Sequence, residues 1–296
     1  MLNLYEEIRI NQSYIKLEAG EFLFAEYTCP IEEKSQGIWT HTDYIVHVVS
    51  GKKIWHTPNE SWTAESGQTI YFKKGAAVIE QFFDVDFCLL LFFIPDDFII
   101  DSVKEITEGV NKDSTVFELK KPATRITSNP ALDIFFKTML TYFANLKNPS
   151  EILLKLKLKE LILNILSSNS NLELKNYFLS FLNNKKPLLN EIMENNFKYN
   201  LTLENFAEMS HRSLSSFKRD FYKHFNESPG RWLLNKRLEH ASVLLRTTNL
   251  SISQIIFECG FENISHFSNA FKNKFGIVPS KFKNEDKFSG VSVNKS

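Results

Sequence analysis

The stretch "SLSSFKRDFYKHFNESP" (residues 213–229) returns fifty residues later as "NISHFSNAFKNKFGIVP" (residues 263–279). Ser215 meets Ser265, Phe217 meets Phe267, Phe221 meets Phe271, Phe225 meets Phe275 and Pro229 meets Pro279, with no gap. On its own, Phe at every fourth position predicts only an amphipathic helix with one face in a core. The repetition places that helix inside a larger unit. Upstream, Leu203, Phe206 and Ala207 match Ile252, Ile255 and Ile256 at an offset of 49, so the second turn ("CGFEN") is one residue longer than the first ("MSHRS"). Each copy therefore reads as a short helix, a tight turn, an N-cap (Ser213, Asn263) and a longer helix, which is a helix-turn-helix.

Between the copies lies "SPGRWLLNKRLEHASVLLRTT", with Ser228 as N-cap and Pro229 at the first helical position. A helix of about 18 residues spans roughly 27 Å. That length suits a rigid connector between two recognition helices set in successive major-groove turns, about 34 Å apart. With Leu214 and the Phe217/Phe221/Phe225 stripe turned inward, Ser215, Lys218, Arg219 and Tyr222 lie on the other side of the helix.

The segments "LTLENFAEM", "SLSSFKRDFYKHFNESPGRWL", "RLEHASVLLRTTNLSISQI" and "CGFENISHFSNAFKNKFGIVPSKF" resemble the DNA-binding domain of the AraC/XylS family of bacterial transcription regulators. The last carries the family's Gly-Phe, Ser-x-Phe, Phe-Lys, Phe-Gly and Pro-Ser in order. The likeness runs from Leu188 to Lys283, about a third of the chain. It implies a sequence-specific DNA-binding regulator, an activator, with double-stranded DNA as partner and RNA polymerase as a second. By the family's register, Ser215, Lys218 and Arg219 contact bases from the first motif; Ser265, His266 and Asn269 do so from the second. Arg and Lys donate to guanine O6 and N7. Many members carry Arg where Asn269 stands; Asn pairs with adenine but brings no charge, so weaker, A·T-directed contacts are expected there. Tyr222, Lys223, Arg231, Lys272 and Lys274 are read as phosphate contacts, which add affinity without sequence information.

The rest of the chain is different in kind. Up to about residue 96 the signals are β: "EFLFAEYTC", "DYIVHVVSG", "KKIWHTP", "SWTAESGQTIYFKKG", "AVIEQFF" and "FCLLLFFIP", punctuated by Gly, Pro, Asn and Ser. Many short strands at this spacing predict a sandwich or barrel. They resemble the cupin-like effector domain common in the same family. Three helical segments follow, "ALDIFFKTMLTYFANL" after Asn129-Pro130, "SEILLKLKLKELILNILSS" from Ser150, and "LELKNYFLSFLNN". The middle one also alternates at period two, and its length and its Lys, Leu and Glu content favour helix.

The expected fold is α+β and multidomain. A β-barrel or cupin-like regulatory domain covers residues 1–125 and a helical linker or dimerisation segment 126–184. The all-α tandem helix-turn-helix domain covers 185–285, and a flexible tail 286–296. A net charge of zero conceals an asymmetry: residues 1–184 carry −6 and residues 185–285 carry +5, which suits a polyanionic partner for the second half. Three cysteines, Cys29, Cys88 and Cys259, form no CxxC pair and no disulfide framework, as in a reducing cytoplasm. The N-terminus has no apolar core of a signal peptide, and the longest apolar run, at 87–94, is too short for a membrane span. Trp39, Trp55, Tyr71 and Phe72 are the candidates to line an effector cavity, for a small molecule unless the effector is a protein. A homodimer and no cofactor are expected. His41, His47 and His56 keep open a rival reading, a metal-dependent cupin enzyme with an appended nucleic-acid module. They lack a compact His-x-His pair with a following Glu.

Overall fold

The computed structural model describes residues 1–28, 34–57, 60–82, 86–107, 119, 121–145, 147, 149–182 and 188–288. Cys29, the 185–187 boundary and the tail beyond 288 lie outside them. The chain divides into two units, Met1–Pro187 and Leu188–Ser296.

The first unit opens with β1 (Leu2–Asn3), α1 (Leu4–Ile10), β2 (Ile15–Ala19), β3 (Phe22–Tyr27), β4 (Ser35–Thr40) and β5 (Asp43–Ser50). It continues with β6 (Lys52–His56), β7 (Ser61–Glu65), β8 (Thr69–Phe72), β9 (Gly75–Gln81), β10 (Cys88–Ile94) and α2 (Asp96–Thr107). It closes with β11 (Ala123–Ile126), α3 (Pro130–Asn145), α4 (Glu151–Leu166) and α5 (Leu172–Ser180). The strands form two sheets, of order β1-β4-β9-β6-β7 and β11-β8-β5-β10-β3-β2. Apart from the parallel β1–β4 pair, the ladders are antiparallel.

The apolar run at 87–94 is legible from this arrangement. β10 pairs with β3 on one side and β5 on the other. Its alternate residues Leu89, Leu91 and Phe93 enter a core with Leu23, Val46, Trp55, Ile70, Phe72 and Ile79, residues of both sheets. Leu90, Phe92 and Ile94 enter a second core with Phe135 and Phe136 of α3, Leu158 and Ile162 of α4 and Phe178 of α5. A strand covered on both faces has no position for a polar side chain, so it reads as a continuous apolar run.

The helices expected as a linker over 126–184 are thus a layer packed on the six-stranded sheet. The physical reason is the period of two: β3, β5, β8 and β10 direct apolar side chains to both faces, and the outer set needs a cover. α3 opens at Pro130, with Asn129 Oδ1 accepting from the Leu132 N–H at 3.0 Å. In α4, capped by Ser150, the alternating "LLKLKLKELIL" folds as a helix whose buried residues Leu154, Leu158, Leu161, Ile162 and Ile165 follow helical spacing.

The second unit is helical: α6 (Leu189–Asn196), α7 (Leu203–Met209), α8 (Leu214–Phe225), α9 (Pro229–Thr247), α10 (Ile252–Glu258), α11 (Ile264–Phe275) and α12 (Pro279–Phe288). Its two repeats agree in detail. α7 and α10 have seven residues each, α8 and α11 twelve. α7 and α10 both begin with a capping box, Thr202 with Asn205 and Ser251 with Gln254. α8 and α11 both end in the left-handed region, at Asn226 (φ 54°) and Gly276 (φ 82°). Among the described residues no helix is long and apolar enough to cross a membrane.

Candidate nucleic-acid interface

The first motif is set by its turn. His211 takes φ 52°, and Arg212 donates through Nη1 to the Ser210 carbonyl at 2.8 Å. Ser213 then caps α8 by accepting from the Ser216 N–H at 3.3 Å. Phe217 and Phe221 are fully buried and pack with Phe225 and Trp232, ring centroids 4.3–6.0 Å apart. With that stripe fixed inward, Ser215, Lys218, Arg219, Tyr222 and Lys223 are exposed on α8, as is Arg231 at the start of α9. Arg219 is braced: Nη2 donates to Ser216 Oγ at 3.2 Å, and Nε lies 3.5 Å from Asp220 Oδ1. The other Asp220 oxygen accepts from Arg212 Nε at 3.3 Å. Burial alone would raise the Asp220 carboxyl. The Arg212 hydrogen bond and the charge of Arg219 outweigh it and hold the group below its ordinary value.

In the second motif the left-handed turn residue is Gly260 (φ 73°), 49 positions after His211. The extra residue follows it, where Phe261 plugs the core 5.0 Å from Phe267. Asn263 Oδ1 accepts from the N–H groups of Ser265 and His266 at 2.8 and 3.0 Å. Ser265, His266, Asn269 and Lys272 are exposed along α11, while Phe267 and Phe271 are buried. Lys274 is half-buried, and its ammonium is committed inside the unit. It donates to the Asn235 carbonyl at 3.2 Å and pairs with Glu239 at 2.9 Å, tying α11 to α9.

A joint unread in the sequence holds the second motif to α6. Arg237 of α9 donates to the carbonyls of Phe197 (2.7 Å) and Tyr199 (2.6 Å) just past α6, and burial lowers its pKa to about 10. A Cβ on Gly260 would stand 2.7 Å from the Lys198 carbonyl oxygen, so the turn of the second motif abuts the same point.

The candidate effector residues of the N-terminal unit do not converge. Trp55 and Phe72 share the core between the sheets, centroids 5.1 Å apart. Trp39 is buried beside His41. Tyr71 points to the opposite face of its sheet, because it neighbours Phe72 on one strand. There it packs on Tyr177 and Phe178 and donates to buried Asp43. A small void between the sheets is bordered by Tyr27, Tyr44, Lys53, Leu89 and, of the four candidates, only Trp55. Lys53 is itself 1% exposed, its ammonium 4.2 Å and 4.4 Å from the ring centroids of Tyr27 and Phe87.

The three histidines have separate surroundings. His41 packs on Tyr5, His56 bonds Ser61 and Glu80, and His47 stacks on Phe136 at 3.8 Å with Nδ1 2.9 Å from Thr69 Oγ1. Burial lowers the His47 pKa to about 4. Among the described residues no group of three His, Cys, Asp or Glu side chains is placed to hold a metal ion.

Comparison with known proteins places this geometry. Residues 43–177 match the family described as the ExsA N-terminal regulatory domain, and residues 206–285 match a helix-turn-helix domain family. The virulence regulon transcriptional activator VirF of Yersinia enterocolitica is 23% identical over 272 residues, covering 88% of this chain and 95% of VirF. The transcriptional regulator ArgR of Pseudomonas aeruginosa is 35% identical over 94 residues, 32% of this chain and 29% of ArgR. Among solved structures, an apo ToxT variant from Vibrio cholerae covers 90% of this chain and 98% of its own, at 15% identity and TM-score 0.43. The two matched regions, a regulatory domain followed by a helix-turn-helix domain, are similar to those of AraC-type regulators. The chain is a DNA-binding transcription regulator of α+β architecture, and its relatives are transcriptional regulators.

Arg212, Asp220, Arg237 and Gly260 also shape this DNA-binding unit, and no motif of the sequence assigns them that role. One signal is available for Asp220, an acidic residue between basic ones on a helix meant for a polyanion. Arg237 and Gly260 act through contacts about 40 and 62 residues away in sequence, to 197–199 and 198, and no local pattern marks those.

Proposed function

We propose that the chain activates transcription by setting α8 and α11 into two successive major grooves on one face of DNA, under control of its N-terminal unit. Ser215, Lys218 and Arg219 contact bases in one groove, and Ser265, His266 and Asn269 contact them in the other. Tyr222, Lys223, Arg231 and Lys272 hold phosphates; Lys274 does so only by exchanging its bonds to α9. The observation that carries this reading is the pair of equally capped recognition helices, joined by the 19 residues of α9, about 28 Å of helix. The activator role is supported by VirF, which is named an activator.

The regulator acts in the cytoplasm without catalytic activity and recruits RNA polymerase. Its N-terminal unit receives the signal, a small molecule or a protein, and pairs two copies. Ile152, Leu156 and Leu163 support the pairing, since they form an exposed apolar stripe on α4 opposite its buried face. Leu156→Glu should convert a dimer to a monomer in sedimentation.

Selection of bound sites from random DNA, followed by footprinting, tests the central reading. Two protected blocks about one helical turn apart on one face are expected per monomer. A single block overturns it.

A further inference from the structure

A carboxylate in the middle of a recognition helix opposes binding to a phosphate backbone, so Asp220 calls for an explanation. Ser216 and Asp220, four residues apart, share one flank of α8 beside the exposed reading face. Both reach Arg219, Ser216 through Nη2 at 3.2 Å and Asp220 beside Nε at 3.5 Å. Asp220 is itself anchored, because its second oxygen accepts from Arg212. The Arg212 side chain is 11% exposed and is rooted in the turn through the Ser210 carbonyl. The chain of contacts therefore runs from the rigid turn, through a fixed carboxylate, to the side chain that points outward.

We infer that Asp220 is a positioning residue for base discrimination: it holds Arg219 so that the outer N–H edge of the guanidinium faces guanine, and its charge weakens binding to non-cognate DNA. The inference rests on the reading of Arg219 as a base contact. An exposed ion pair adds little stability, and none is required of it. A free arginine side chain must lose considerable rotamer freedom to make a bidentate contact, and a braced one has lost much of it beforehand. The negative charge acts on the other side of the ratio, since it penalises complexes in which Arg219 has no guanine to engage.

The internal repeat supplies an independent observation. Where the first motif has Arg219 with Ser216 and Asp220, the second has Asn269 with His266 and Ala270. Its turn residues Phe261 and Glu262 offer no counterpart of Arg212. The copy that lacks the arginine lacks the whole brace.

The test measures binding of the full chain by fluorescence anisotropy to its selected site, to the same duplex with the Arg219-contacted guanine replaced, and to a random duplex. Asp220→Asn, nearly isosteric, should lower the cognate-to-replaced ratio by about 3- to 10-fold, a part of one bidentate contact, with tighter binding to the random duplex. In an Arg219→Ala background the same change should cost no further discrimination. The inference is overturned if Arg219→Ala collapses the ratio while Asp220→Asn leaves it within twofold, or if Asp220→Asn costs as much without Arg219 as with it. If Arg219→Ala leaves the ratio intact, Arg219 reads no base, and both readings fall.

Discussion

The two helix-turn-helix copies agree along the stripe that faces inward and differ at most positions that face out. Caps, helix lengths and the phenylalanine stripe coincide, while Lys218, Arg219 and Lys223 stand against the uncharged Ser268, Asn269 and Asn273. Packing constrains the inner set to shapes that fill one core. The outer set answers only to what it touches, so it diverges without disturbing the scaffold.

The equivalence of the frames is open to direct attack. Phe217→Ala and Phe267→Ala each remove a fully buried ring. Each should lower the unfolding free energy of the C-terminal unit by about 3–5 kcal/mol in urea titrations followed by circular dichroism. Costs differing by more than half would break the equivalence. The divergence of the faces predicts unequal losses in binding. Arg219→Ala should cost about 1–3 kcal/mol on the selected site and blur one position. Asn269→Ala should cost less, at an A·T pair.

The turns sharpen the comparison further. Gly260→Ala places a Cβ 2.7 Å from the Lys198 carbonyl at a positive φ, and should cost about 1–3 kcal/mol. His211→Gly relieves a left-handed residue (φ 52°) and should gain at most about 1 kcal/mol. Thermal unfolding of both variants separates them by sign.

A pH-dependent effect belongs to the joint beside α6. Burial, and then the charge of Lys198, lowers the His240 pKa from 6.5 to about 4. An unfolded chain therefore takes up that proton first, and stability should fall as pH drops from about 6.5 toward 4. His240→Phe should flatten that part of the profile in unfolding measured at pH 7 and pH 5.

What a sequence window reveals here is local. Ser213, Asn263 and Ser228 announce helix starts through side-chain chemistry that acts within three residues. The phenylalanine stripe needs only the helical period. The β-rich start is legible as strands, but α1 and α2 go unread within it, and Tyr71 and Phe72 invite grouping although a strand sends them to opposite faces. The layering of α3–α5 on the sheet, the burial of Lys53 and the Arg212–Asp220–Arg219 brace depend on partners no short window contains. At the site, therefore, the exposed residues can be named from the register, and what orients them cannot.

The double cover of β10 also has a consequence in time. At a synthesis rate of about 5–20 residues per second, the roughly 84 residues between Ile94 and Phe178 take on the order of 4 to 17 s to emerge. At the start of that interval the six-stranded sheet has every strand but β11, and through it Phe24, Ile45, Leu90 and Phe92 lack the complete lid of α3, α4 and α5. A nascent chain in that state is a substrate for chaperones, and a fragment ending before Pro130 should aggregate where one ending after α5 stays in solution.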